Sequence, residues 1–153
     1  MKITDAFLGE HGVFYAQFDR LEQMVPSAKT LETVQEEAAL VTAALVPHAL
    51  MENEILFPAL EECLGPPALP VPVMRQEHRD IEGRFMQAQW AGTLREAQRL
   101  LLEALDLARD HFAKEEEVLF PLAEKVLGAG RLSELGMEWA RRRGVKLPEL
   151  VSA

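Results

Sequence analysis

The fold is decided by two segments, HALMENEILFPALEECLG at residues 48–65 and HFAKEEEVLFPLAEKVLG at residues 111–128. Aligned without gaps, they are identical at nine of eighteen positions. Each begins with His, carries Glu four and six residues later, and continues with Leu-Phe-Pro. Chance does not produce such agreement, so we interpret the segments as copies of one helical unit. The segments that precede them resemble each other more faintly, through the pairs Glu10-His11 and Glu77-His78. The two similarities together predict a duplicated helical hairpin.

Apolar residues recur with the helical period along almost the whole chain, and no stretch alternates as a strand does. Four long helices are predicted, with caps at Thr4 or Asp5, at Ser27 and at Thr93. Short turns make neighbouring helices antiparallel, so residues 1–128 are expected to form an all-α, up-down-up-down four-helix bundle. Residues 129–153 are expected to form a short amphipathic fifth helix and a tail, packed on the bundle.

Length and composition limit the classes of protein to consider. The chain has 153 residues, of which 48% are hydrophobic, enough for one globular domain. A net charge of -9 disfavours nucleic acid as a partner. We expect no membrane span, because no run of eighteen apolar residues occurs. The absence of a signal-peptide pattern and the single cysteine, Cys63, predict a soluble cytoplasmic protein.

The four histidines of the chain fall one on each long helix, within the apolar stripes that should face the core. Three carboxylates stand four residues after a histidine on the same stripes. A buried ionised carboxylate costs several kcal/mol unless it is paired or binds a cation, and no Lys or Arg shares these stripes. The predicted metal ligands are therefore His11, His48, Glu52, His78, Glu82, His111 and Glu115.

Height along the bundle is a second test of this prediction. In an antiparallel hairpin, two residues at the same height have numbers whose mean is the position of the turn. The means for His11 and His48, and for His78 and His111, fall within about one helical turn, roughly 5.4 Å, of the predicted turns. All four imidazoles can then share one layer with room for two metals. A single histidine of this kind is more often a hydrogen-bonded core residue, but that reading explains the whole set poorly.

Several neighbouring residues are given more ordinary roles. Glu54 and Glu117 are repeated as well, but helical phase directs them to solvent. Tyr15 is interpreted as a core residue with a satisfied hydroxyl rather than a ligand. The prolines near the ligands predict bends in their helices, either to aim the ligands or as an accident of the duplication; they are Pro47, Pro58 and Pro121.

These motifs resemble the hemerythrin-like family of HHE cation-binding domains over roughly residues 1–128. The resemblance rests on the two HxxxE motifs with their Leu-Phe-Pro stretches, on Glu10-His11, and on EHRDIE at residues 77–82. It implies a non-haem di-iron centre with Glu52 and Glu115 as bridges and the four histidines as terminal ligands, with Zn or Mn as possible substitutes. Glu82 is implied as a ligand or as a hydrogen-bond partner of one.

The chain departs from the oxygen-carrying members at two places. Where their third helix has HxxxH, this chain has Glu82, and where their fourth has HxxxxD, Glu115 comes one residue sooner. One more carboxylate and fewer imidazoles should favour ferric iron and weaken reversible oxygen carriage.

Three functions are compatible with these residues. The favoured one is a di-iron protein that binds or senses O2 or a related small ligand, or that buffers iron. The alternatives are a di-iron enzyme, acting on peroxide or nitric oxide or repairing iron-sulfur centres, and a structural zinc-bound or metal-free interaction module. We expect a small ligand and an unknown redox partner, and a monomer or homodimer.

Overall fold

A computed structural model describes residues 1–65 and 69–146, and nearly all of these residues are helical. The helices are α1 (Ile3–Met24), α2 (Leu31–Met51), α3 (Phe57–Leu64), α4 (Val71–Gln89), α5 (Leu94–Lys114) and α6 (Phe120–Arg143). Two single π-helical turns, Glu52–Leu56 and Glu115–Leu119, join α2 to α3 and α5 to α6 into long rods. The prediction of an all-α bundle of four helices is confirmed.

The core of the bundle is divided into two apolar clusters. One cluster is built around Phe18, Phe85 and Leu105, towards the turns that follow α1 and α4. The other is built around Phe7 and Phe57 at the opposite end of the rods. The four histidines lie between the clusters, so the apolar core is continuous except for one polar layer.

The helix starts follow the capping chemistry of the sequence, with two corrections. The first residue before α1 is Lys2 and not Thr4 or Asp5, which lie inside the helix; the backbone N–H of Lys2 donates to the Asp5 carboxylate at 3.0 Å. Thr93 caps α5 by accepting a hydrogen bond from the backbone N–H of Glu96 at 3.3 Å, as predicted. Ser27 does not cap the second helix; its hydroxyl donates to the carbonyl of Met24 at 2.9 Å within a 3-10 turn. Thr30 is the cap, because its side chain accepts from the N–H of Thr33.

The predicted fifth helix is not seen separately, because α6 runs from Phe120 to Arg143. Gly128, the last residue of the predicted four-helix unit, has a non-helical backbone with φ 72° and ψ 163°, a conformation that favours glycine, so two helical segments meet at a kink there. Beyond the bend, Leu132 and Leu135 are buried in the second apolar cluster. The last part of the predicted tail, residues 147–153, lies outside the described residues.

One rod has the length and composition of a possible membrane span. An 18-residue window within Leu31–Leu64 reaches a mean hydropathy of 1.2, and 44% of that window is buried in the bundle. Core helices of bundles reach the same value, so this feature is weak evidence for a span. The expectation of no membrane partner stays a prediction.

Gly136 is the place where α6 meets the start of the chain. A Cβ at this position would overlap the carbonyl oxygen of Met1, whereas a Cβ at Gly130, in the same helix, would meet nothing within 4 Å. We therefore expect Gly136→Ala to lower the free energy of unfolding by about 1–3 kcal/mol through overpacking. Gly130→Ala, the matched control, should raise it by up to about 1 kcal/mol through helix propensity. Urea unfolding measures both, and equal effects of the two substitutions would contradict this packing.

Candidate metal centre

The four histidines meet in one layer at the centre of the bundle, as their spacing predicts. The Nε2 atoms of His11 and His48 are 3.2 Å apart. The rings of His78 and His111 lie 4.7 Å apart, centroid to centroid. All four side chains are buried. Two facing imidazole lone pairs at 3.2 Å repel each other unless a proton or a cation lies between them.

Glu52 and Glu115 occupy the middle of this layer, and both are completely buried. Among the described residues, none of their four carboxylate oxygens has a hydrogen-bond partner. Their nearest charged or polar neighbours are imidazole nitrogens: His78 Nε2 is 3.2 Å from Glu52, and His111 Nε2 is 3.0 Å from Glu115. Such carboxylates need a positive charge close by.

The ligand atoms form two groups, and within each group they lie within 4.8 Å of one another. The first group is His11, His48, Glu52 and Glu115; the second is Glu52, His78, His111 and Glu115. Both groups contain the same two carboxylates, which is the arrangement that two bridged metal ions require. Carboxylate and imidazole ligands suit iron, manganese and zinc, so the residues present fit a binuclear metal site.

Each central carboxylate stands at the first residue of a π-helical turn. The N–H of Phe57 bonds to the carbonyl of Glu52, five residues back, and Phe120 bonds to Glu115 in the same way. The next residue in each copy is a proline, which cannot donate to the carbonyl four residues back. Pro58 and Pro121 predict bends at these places, and in the structure a π-helical turn precedes each proline. Such turns are frequent at functional sites.

Three further carboxylates hold the outer nitrogens of the imidazoles, and the sequence reasoning missed them. The Nδ1–H groups of His48, His11 and His111 donate to Glu10, Glu116 and Glu77 at 2.7, 2.8 and 2.9 Å respectively. Each bond fixes the Nδ1–H tautomer and leaves the Nε2 lone pair facing the centre.

The missed signal was the Glu-His pair on α1 and on α4. Glu10 and Glu77 precede His11 and His78, but each holds a histidine of the neighbouring rod, His48 and His111. This crossing of helices cannot be read from one helix alone. Burial would raise the pKa of both carboxyls, but hydrogen bonds to imidazole and the positive charges of Arg143 near Glu10 and of Lys114 near Glu77 outweigh it, so both pKa values are lowered.

The outer carboxylates are themselves held by donors. Arg143 lies 2.6 Å from Glu10, and Lys114 donates to Glu77 at 2.5 Å. Tyr15 donates its hydroxyl to Glu116 at 3.0 Å, which is the satisfied core role predicted for it. Burial and the bond to Glu116 raise the pKa of Tyr15 to about 12, so the phenol stays neutral.

Glu82 is not where its spacing from His78 predicts. The structure leaves its side chain exposed and outside both ligand groups, so the prediction that it faces the core is wrong. The buried stripe of α4 passes from His78 to Ile81 and Phe85, and Glu82 falls at its edge. Glu54 and Glu117 are exposed, as helical phase predicts.

A cavity of about 330 Å³ opens beside the layer, between α2, α4 and α5. His48, His78 and His111 contribute to its wall, and His11 does not. Most of the remaining wall is apolar, and Glu82 lies at its edge with two arginines, Arg75 and Arg79.

Without a metal, protons compensate the two buried carboxylates. Burial by itself lowers the pKa of His78, but contact with Glu115 and Glu52 outweighs it and raises the pKa to about 9. The same carboxylates raise the pKa of His11 and His111. Burial would raise the pKa of Glu115, yet the surrounding imidazoles hold it well below its usual value.

The metal-free protein should therefore lose stability as pH rises through this range. His78 has a pKa of 6.5 in the unfolded chain and of about 9 in the folded one. Its protonation therefore contributes fully to the free energy of unfolding below pH 6.5, and this contribution is lost as the pH rises to about 9. We expect the free energy of unfolding of the chelator-treated protein to fall by roughly 1–3 kcal/mol across this interval. Urea unfolding at a series of pH values measures it. His78→Gln should flatten the profile, and a stability that rises with pH would contradict proton compensation.

A family model described as the hemerythrin HHE cation binding domain matches residues 2–123, and a second match covers residues 69–143. The first match includes all six residues of the two ligand groups. Comparisons with curated proteins and with solved structures find no match.

Proposed function

The chain belongs to the hemerythrin HHE cation-binding domain family, and on that premise we propose that it is a non-haem di-iron protein that binds a small ligand such as O2. The proposed ligands are the four histidines and the two central carboxylates: His11, His48, Glu52, His78, His111 and Glu115. Glu52 and Glu115 would belong to both ions. Sensing of the ligand or buffering of iron is the role that follows.

The observation that carries the proposal is the sharing of Glu52 and Glu115 between the two ligand groups. One ion in either group would leave two imidazoles of the other group without a cation. With an ion in each group, all four imidazoles have a cation and both carboxylates lie beside both ions. Bound iron would supply a redox-active centre with affinity for small ligands.

The side chains around the centre hold and shield the ligands. Glu10, Glu77 and Glu116 keep three imidazoles in the tautomer that presents Nε2 to the ions. The ring of Phe112 stacks on His11 with its centroid 3.9 Å away and excludes water from that side. These contacts position the ligands before an ion arrives, which lowers the cost of binding it.

A binding role is preferred over an enzymatic one because Tyr15 is poorly suited to donate a proton at the centre. Among the described contacts, its hydroxyl is linked to the centre through Glu116 and His11, and its pKa of about 12 makes it a weak acid. The cavity beside His78 gives the enzymatic alternative, reduction of peroxide or nitric oxide, a place for a substrate. We retain it as the second candidate.

The remaining expectations are also proposals. A net charge of -9 supports a protein that does not bind nucleic acid. The single cysteine supports a reducing compartment such as the cytoplasm.

Metal analysis with matched variants tests the proposal. The protein made in iron-replete cells should contain two irons per chain, with near-ultraviolet absorption of an oxo-bridged ferric pair. Glu52→Gln and Glu115→Gln keep the side-chain volume and remove a ligand charge, so each should lose at least half of the iron. Glu54 and Glu117 are repeated in the same motif but are exposed, so the matched control variants Glu54→Gln and Glu117→Gln should retain the iron.

Two results would contradict the proposal. One zinc per chain, or no metal after iron-replete growth, would favour the structural module. Equal loss of iron from all four variants would mean that the acidic cluster attracts metal through charge alone. Circular dichroism of each variant shows that the helices are retained.

A further inference from the structure

In the second copy of the duplicated unit, one carboxylate holds a histidine and is itself held by a lysine of the same helix. One oxygen of Glu77 accepts from Nδ1 of His111 at 2.9 Å, and the other accepts from Nζ of Lys114 at 2.5 Å. Lys114 stands three residues after His111, so the two are neighbours on α5. The lysine therefore fixes the carboxylate, and the carboxylate fixes the imidazole.

The first copy has the same arrangement around Glu10, but its sequence lacks the lysine. The residue three after His48 is Met51, in the place of Lys114. One oxygen of Glu10 accepts from Nδ1 of His48 at 2.7 Å, and the other lies 2.6 Å from Nη2 of Arg143. Among the residues that the structure describes, no other Lys or Arg pairs with Glu10. A cation from the last turn of α6 therefore takes the place of the missing lysine.

The packing and the end of α6 determine where Arg143 lies. Gly136 and Ala140 are buried four residues apart, and Arg143, three residues further, continues the same face of the helix. Gly144 then ends α6 in the left-handed conformation, with φ 68° and ψ 20°, which favours glycine. The side chains of Arg143 and Glu10 are only 24% and 18% exposed, so salt screens this pair less than a fully exposed one.

The two arginines that precede Arg143 have other partners. Arg141 is 72% exposed and pairs with Glu138 of its own helix. Arg142 pairs with Glu138 and also with Glu54, so it connects α6 to the first π turn. In the described contacts, neither arginine reaches an outer carboxylate of the histidine layer. Both are therefore matched controls for Arg143.

We propose that Arg143 is a positioning residue of the metal centre, which holds Glu10 and through it orients His48. It supplies the cation that Lys114 supplies in the second copy. The inference rests on the proposed function, because the histidine that it concerns is one of the six ligands proposed there. Without the ion pair, Glu10 can turn towards solvent, and Nε2 of His48 is then held less firmly towards the centre. The last turn of α6 is thus part of the metal site.

The metal affinity of matched variants tests the inference, with Co²⁺ added to the metal-free protein as the probe. Outer partners of metal ligands typically contribute about 10- to 100-fold to affinity. Since Arg143 acts one contact further out, we expect Arg143→Gln to weaken Co²⁺ binding by about tenfold. Arg143→Lys keeps the charge and should bind nearly as the wild type does, and Arg141→Gln and Arg142→Gln should be unchanged. Competition with a chelator, followed by the visible absorption of Co²⁺, measures each affinity.

A lysine at position 51 separates positioning from a general loss of packing of α6. Combined with Arg143→Gln, Met51→Lys restores a cation at the place of Lys114 and adds nothing to the contacts of α6, so Co²⁺ binding should recover. Urea unfolding of the metal-free variants is the second readout. An affinity that simply follows the free energy of unfolding across all variants would make the packing of α6, and not Arg143, the cause.

Three further results have a definite meaning. Unchanged Co²⁺ binding by Arg143→Gln, or an equal loss by Arg142→Gln, would overturn the inference. No recovery in a helical protein that combines Arg143→Gln with Met51→Lys would overturn the equivalence of Arg143 and Lys114. A wild type that binds Co²⁺ with this dependence on Arg143, but contains no iron after iron-replete growth, would overturn the proposed function and leave the role of Arg143 standing.

Discussion

Two ionised carboxylates buried at the centre of a helical bundle are the constraint on which the rest of this structure depends. Glu52 and Glu115 have no exposed surface, and among the described residues no Lys or Arg contacts them. Their charge must be met by protons on the imidazoles or by cations between them. That requirement explains the layer of histidines and the raised pKa of His78. It also explains why the side chains form two candidate ligand groups. The apolar clusters above and below the layer exclude water, and charge interactions within the layer are stronger for that reason.

The layer is reinforced from outside by a network that crosses between helices. Glu10 on α1 holds His48 on α2, and Glu77 on α4 holds His111 on α5. Arg143 at the end of α6 pairs with Glu10, which connects α6 to the histidine layer. The end of α6 therefore does more than cover apolar surface, because it holds the carboxylate that orients His48.

Much of the fold and the core of the site could be predicted from the sequence, because helical period determines which side chains share a face. That reasoning placed all four histidines and both repeated HxxxE glutamates correctly in the layer. It failed at Glu82, because four residues beyond His78 the edge of α4 already faces outward, and only the packing of α4 against α2 and α5 defines that edge. Pro58 and Pro121 predicted bends near Glu52 and Glu115, but the sequence did not indicate that these bends would be π-helical turns. The outer carboxylates depend on contacts between rods, which no single-helix pattern contains.

We propose that one layer of six side chains holds two metal ions. Anomalous diffraction at the iron absorption edge, from crystals of the protein as purified from iron-replete cells, tests it most directly. We expect two iron peaks within the bundle, one between His11 and His48 and one between His78 and His111, with Glu52 and Glu115 contacting both. A single peak in the layer, or iron only at the exposed acidic residues, would contradict it.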